Sequence, residues 1–116
     1  MLLVRSLLWL LLTPRVTAEL AELLPNLEDK WVLLHLVRCV PLVTVTSKHV
    51  AAYANFLQRC GHCEMPFLRA WAIDSLHRLS LDHEALVQDA RRVLEAAAVD
   101  PAPSVRKRLR KILQGR

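Results

Sequence analysis

The same stripe of apolar residues, with members at i, i+4 and i+8, occurs three times along this chain. Its copies are Val32, Leu36 and Val40, then Leu68, Ala72 and Leu76, then Val105, Leu109 and Leu113. Successive copies are 36 and 37 residues apart, and each copy keeps its apolar side chains on one face of a helix. A repeat of this length, with two helices in each unit, predicts an array of helix pairs that cover one another's apolar faces.

Proline and capping residues divide the chain into these helices. Pro25 ends a short helix that begins near Thr17, and Asp29 is placed to cap the next helix. The predicted helices span about residues 17–24, 30–40, 47–59, 65–79 and 82–98, with a last helix from 103 or 104 onward. They form three pairs, in units of about residues 17–45, 46–81 and 82–116.

The composition favours an all-helical domain. Of the 116 residues, 53% are hydrophobic and only two are glycine, which suits helices better than the turn-rich hairpins of a sheet. The β-branched run at residues 43–46 is too short to build a sheet and is interpreted as a connection. The predicted fold class is therefore all-α, a single domain that forms a short α-solenoid of about three antiparallel helix pairs.

An apolar segment, Leu2–Leu12, precedes these units within residues 1–16. It is too short to span a bilayer, which takes about 20 apolar residues. One interpretation is a leading helix that caps the first pair, in a cytoplasmic protein without a membrane span. The other is a signal peptide, with Arg5 as its charged region and cleavage after Ala18, in a secreted or periplasmic protein.

The last unit carries a pattern that resembles the second half of a HEAT repeat, Asp100-Pro101-x-x-x-Val105-Arg106-x-x-Leu109-x-x-x-Leu113. The middle unit shares its core, Leu68-Arg69-x-x-Ala72-x-x-x-Leu76. The resemblance implies a right-handed α-solenoid whose second helices line a concave side. It also implies a ladder of acidic and basic residues in which Asp100 and Arg106 take part. The middle unit has Arg69 but places Cys63 or Glu64 where the acid belongs, so the ladder is expected to be interrupted.

Positive charge is concentrated towards the C-terminus. Residues 59–116 hold eleven Lys or Arg and seven Asp or Glu, against five and four in residues 1–58. We predict a non-enzymatic protein-interaction or scaffold module, without a cofactor, that binds a protein partner through its second helices. The predicted partner-binding residues are Arg69, Arg78, Arg106, Lys107, Arg110 and Lys111. Outward-facing neighbours are expected at Lys30, His35, Arg38 and Asp74.

Two tryptophans occupy similar places in successive second helices. The favoured role of Trp31 and Trp71 is to fill the gaps between repeats, as large side chains commonly do. An exposed pair would instead indicate anchors for a peptide.

Electrostatic binding of nucleic acid is a less favoured alternative function. The basic residues of the last helix would bind phosphates without sequence specificity. That helix has no interleaved aromatic residue to stack on bases, which weakens the interpretation.

The motif Cys60-Gly61-His62-Cys63 is a second alternative source of function. It is identical to the redox motif of protein disulfide isomerases, and two cysteines at this spacing also supply half of a tetrahedral zinc site. No strand is predicted before Cys60, and no second pair of ligands is found in the sequence. The favoured interpretation of the motif is therefore a turn between two helices.

Overall fold

The structure, a computed structural model, describes residues 14–42 and 45–115, and every regular element within these two ranges is helical. The α-helices are α1 (Pro14–Leu23), α2 (Lys30–Cys39), α3 (Val50–Gly61), α4 (Pro66–Asp82), α5 (Val87–Ala98) and α6 (Pro103–Gln114). Short 3-10 helices occupy Leu24–Asn26, Val40–Leu42 and Glu84–Leu86. The all-α prediction is confirmed for this part of the chain. The segment Leu2–Leu12 lies outside the described residues.

Local sequence explains where several of these helices begin. The Asp29 carboxylate accepts hydrogen bonds from the backbone N–H groups of Trp31 at 2.9 Å and Val32 at 3.1 Å, so the predicted cap of α2 is confirmed. Pro66 and Pro103 open α4 and α6, where the N–H that proline lacks would have no partner within the helix.

Helix α4 lies at the centre of the fold and packs against α2, α3, α5 and α6. One side of α4, including Leu68, Ala72 and Leu76, belongs to the core that it shares with α2 and α3. Another side, including Ala70 and Ile73, belongs to a second core with α5 and α6. Helices α2 and α6 both pack against α4, which contributes a different side to each of the two cores.

Buried hydroxyl groups connect the first unit to the second. The Tyr53 hydroxyl donates to the Thr17 carbonyl of α1 at 2.6 Å. The Ser75 hydroxyl of α4 donates to the Val37 carbonyl of α2. A buried hydroxyl without a hydrogen-bond partner lowers the stability of the folded state, so these bonds favour the observed positions of α1 and α2 against the second unit.

The second and third pairs do not close on each other along their first helices. A cleft of about 550 Å³ lies between α3 and α5, with Ile73 of α4 and Val105 of α6 in its lining. The helices nevertheless pack compactly, with extents of 38, 30 and 29 Å along the principal axes.

The last helix departs from the prediction at Leu113, which is 66% exposed instead of packed. Val105, Leu109 and Ile112 are the buried residues of α6, and α4 covers this stripe. At 100° per residue, Leu113 lies about 80° from Val105, at the edge of the apolar stripe. It lines an open apolar groove with residues of α4 and α5 and is not enclosed by either helix.

Candidate protein-binding surface

One face of α4 carries an aromatic and basic strip beside the first core. Phe67, Trp71, Asp74 and Arg78 follow one another at i, i+4, i+7 and i+11, which places them on one face of the helix. Phe67 is 49% exposed, and Trp71 is half-buried. Phe67, Trp71 and Arg78 are therefore the part of this face that a partner can reach, because Asp74 is buried.

Trp71 connects the three second helices. The guanidinium carbon of Arg38, on α2, lies 5.1 Å from the centre of the Trp71 ring, and that of Arg108, on α6, lies 4.1 Å from it. Both distances are within the range of cation–π attraction. Phe67 meets the same indole edge-on, with ring centres 6.4 Å apart. The indole is thus held by residues from α2, α4 and α6.

The Asp74 carboxylate, predicted to face outward, is instead buried, with its side chain 3% exposed. Arg78 Nε lies 3.1 Å from its Oδ1, and Arg108 Nη1 lies 3.6 Å from its Oδ2. The prediction was wrong because Arg108 reaches across from α6, a contact that no local pattern in α4 reveals. One buried carboxylate therefore orients two arginines that remain partly exposed.

Helix α2 extends this strip. Trp31, His35 and Arg38 are spaced at i, i+4 and i+7 on one face of the helix, and all three are exposed, as is Lys30. Trp31 is 67% exposed, so it does not fill a gap between repeats. We define the second-helix surface by its members Trp31, Arg38, Phe67, Trp71, Arg78 and Arg108.

The repeat spacing offers a signal for the members that the sequence prediction omits. Trp31 and Phe67 are 36 residues apart, and Trp71 and Arg108 are 37 apart, the same shifts that relate the apolar stripes. Alignment of the units at this period places each pair at equivalent positions on neighbouring second helices. Neither pair is among the predicted partner-binding residues, although exposed tryptophans were the alternative interpretation as anchors for a peptide.

Arg69 and Arg106, both predicted to bind a partner, are engaged within the protein. Arg69 binds both carboxylate oxygens of Asp100, at 2.8 and 3.0 Å, and donates to the carbonyls of Cys63 and Glu64. Arg106 donates to the Asp100 carbonyl at 2.5 Å. The Asp100 side chain thus pairs with the arginine of the preceding unit, while Arg106 holds the backbone of its own turn. The hydrogen bonds from Arg69 lower the pKa of Asp100.

The other predicted residues of α6 face solvent. Lys107, Arg110 and Lys111 are all exposed, and the helix contains no acidic residue. Their charge is therefore available to an anionic partner.

The Cys60-Gly61-His62-Cys63 motif covers the end of α3 and the turn that follows. Cys60 is buried in the core, and desolvation raises its pKa to about 12. Cys63 is half-buried beside the α3–α5 cleft, with its Sγ 3.5 Å from the Met65 carbonyl. Within residues 14–42 and 45–115, no group of three His, Cys, Asp or Glu side chains is arranged to hold a metal ion. Cys60 therefore lacks the accessible thiolate that a redox dithiol uses.

We expect Cys60 to resist alkylation in the folded protein. At pH 8, iodoacetamide should modify Cys63 and leave Cys60 intact, because burial both blocks access to Cys60 and raises its pKa to about 12. Mass spectrometry of peptides after a timed reaction measures each site. In urea both thiols should react, and rapid modification of Cys60 without urea would support the redox interpretation instead.

Comparison with protein-family models, with curated proteins and with solved structures finds no match to this chain. In the part of the chain that the structure describes, no helix is both long enough and apolar enough to cross a bilayer. Function is therefore inferred from the surface itself.

Proposed function

We propose that this chain is a non-enzymatic protein-interaction module, built as a short right-handed HEAT-like α-solenoid, that binds its partner through the second-helix surface. The observation that carries the proposal is the exposure of Trp31 and Phe67 beside Trp71, which two arginines flank. Tryptophan and arginine are enriched among the residues that dominate binding energy at protein interfaces. Their concentration on one side of three adjacent helices favours an interface over scattered surface residues.

Contacts at the repeat spacing support the solenoid arrangement. Arg69 donates to the Cys63 carbonyl, and Arg106 donates to the Asp100 carbonyl, with donor and acceptor each shifted by 37 residues. The Asp100 side chain also reaches back to Arg69 in the preceding unit. Stacked helical hairpins are expected to have both kinds of contact, one repeated in each unit and one that connects consecutive units.

The second-helix surface is ordered before a partner binds. Asp74 orients Arg78 and Arg108, and Trp71 is fixed by neighbours on three helices. Side chains that are already fixed lose less conformational entropy on association, so more of their contact energy contributes to affinity.

A peptide-display selection tests the proposed function. Peptides enriched on the immobilised wild-type protein are titrated against variants by calorimetry. Trp31→Ala and Phe67→Ala should each weaken binding about 30-fold, because truncation of an aromatic anchor costs about 2 kcal/mol. Val99→Ala is the control, since Val99 is 82% exposed but lies in the turn after α5. Enriched peptides that bind all variants equally, or the absence of any enriched peptide, would contradict the proposal.

Electrostatic binding of nucleic acid is the second candidate, favoured by the exposed charge of α6. Three phosphate contacts from Lys107, Arg110 and Lys111 predict that affinity for a single strand falls roughly 20-fold between about 50 and 200 mM salt. A filter-binding titration with a labelled oligonucleotide measures this dependence.

Charge reversal separates a specific basic site from net charge. The triple variant Lys107→Glu, Arg110→Glu, Lys111→Glu should not bind the oligonucleotide. The matched control places Glu at Lys48, Arg91 and Arg92, which are exposed and lie outside α6. Equal losses in the two triple variants would show that net charge alone is responsible.

A further inference from the structure

We propose that the second-helix surface recognises an acidic peptide segment, whose carboxylates bind Arg38 and Arg108 and whose apolar side chains pack on Trp31 and Phe67. The inference rests on the proposed function and adds the chemistry of the partner. It follows from the charge, the spacing and the free aromatic area of this surface.

The surface carries more positive than negative charge. Three arginines contribute to it, at positions 38, 78 and 108, whereas Asp74 supplies a single negative charge and is buried beneath two of them. Asp29 caps α2 nine residues before Arg38, which is more than two helical turns away. Arg78 and Arg108 share the single negative charge of Asp74, so the three arginines together keep a net positive charge that a partner carboxylate would meet.

The two arginines that flank Trp71 are spaced for one extended segment. Their guanidinium carbons lie 5.1 and 4.1 Å from the same ring, so they are about 9 Å apart or less. Side chains at i and i+2 of an extended peptide lie about 7 Å apart and point the same way. Acidic residues at i and i+2 would reach Arg38 and Arg108 together, and apolar residues at i−2 or i+4, on the same side of the peptide, would face Trp31 and Phe67. Each guanidinium has five N–H donors, which leaves donors for a carboxylate beside its present contacts.

The aromatic residues favour a peptide over a nucleic acid. The indole of Trp71 already contacts Arg38, Arg108 and Phe67, so little of its face is left for a base to stack on. Phe67, which meets Trp71 edge-on, is 49% exposed, and Trp31 on α2 is 67% exposed. Apolar side chains of a peptide would bury this aromatic area.

Three fluorescent probes test this inference by anisotropy titration. They are an extended peptide that carries Leu, Glu, Glu and Leu at alternate positions with Ser between them, the same peptide with Gln in place of Glu, and oligothymidine. The acidic peptide should bind at least tenfold more tightly than the Gln peptide. Arg38→Gln and Arg108→Gln should each weaken the acidic peptide about fivefold or more without affecting the Gln peptide. Lys48→Gln, which removes an exposed charge elsewhere, should change neither.

The outcomes separate this inference from the proposed function. Equal binding of the two peptides, with sensitivity to Trp31→Ala, would overturn the acidic partner and leave the interaction module intact. Binding of oligothymidine alone would overturn both proposals in favour of nucleic acid. If no probe binds, the proposal of an acidic peptide partner is overturned. The peptide-display selection then tests the proposed interaction module independently. Arg38 is exposed, so Arg38→Gln provides the test even where Arg108→Gln reduces folding.

Discussion

Leu76→Ala is expected to lower the free energy of unfolding by about 2–5 kcal/mol. Leu76 is 1% exposed in the middle of the central helix, within the core that α4 shares with α2 and α3. Truncation removes buried carbon atoms and leaves a cavity that surrounding helices on both sides can fill only in part. Urea denaturation followed by circular dichroism measures the change, which should appear in the midpoint and not in the slope.

Leu113→Ala is the matched control for this prediction. Leu113 occupies the repeat position equivalent to Leu76, 37 residues later, but it is 66% exposed. Its truncation should change the free energy of unfolding by no more than about 0.5 kcal/mol. The two substitutions remove the same atoms, so their difference isolates the effect of burial. If Leu113→Ala lowered the free energy of unfolding as much as Leu76→Ala, α6 would pack more closely than the structure indicates.

Asp100→Asn is expected to lower the free energy of unfolding by about 1.5–3 kcal/mol at pH 7, which is the range for hydrogen bonds to charged groups. The substitution removes the charge that Arg69 binds through two nitrogens, while Asn can still accept the hydrogen bond from the Ala102 N–H. Both partners of this ion pair have side chains only 15% exposed, so water replaces the lost contact poorly. Asp89→Asn is the control, because the Asp89 pair with Arg92 is much more exposed and should contribute little.

The cost of Asp100→Asn should depend on pH in a defined direction. Arg69 holds the pKa of Asp100 below its usual value of 3.8, so the folded protein binds this proton less readily than the unfolded chain does. The stabilisation is therefore complete above about pH 4 to 5 and is lost as pH falls through the lowered folded-state value. Wild type and variant should converge in stability in strong acid. A difference that persists at pH 2 would mean that the charge of Asp100 is not its source.

Much of the helical architecture was predictable from local patterns. The apolar stripes locate the helices, and Asp29 marks the start of α2 because a carboxylate satisfies the free N–H groups of a first turn. These features depend on residues within one or two turns of each other, and such interactions do not require knowledge of the neighbouring helices.

The candidate site was predictable only in part. Exposed basic residues of α6 follow from helical periodicity, and Lys107, Arg110 and Lys111 are indeed exposed. The position of Asp74 does not follow from it, because this carboxylate is buried by an arginine from another helix. The same holds for Trp71, whose surroundings combine residues from three helices that are distant in sequence.

The all-helical character of the described residues and the starts of α2, α4 and α6 follow from local sequence, because apolar spacing, the Asp29 cap and the first-turn prolines act within one or two turns. The starts of α1, α3 and α5 lie three to five residues from their predicted positions. The packing of the helices sets which equivalent positions differ, such as the buried Leu76 and the exposed Leu113. It also decided that Asp100 pairs with Arg69 of the preceding unit. Burial and charge pairing depend on which helix lies opposite, and that is fixed by the packing of the whole chain.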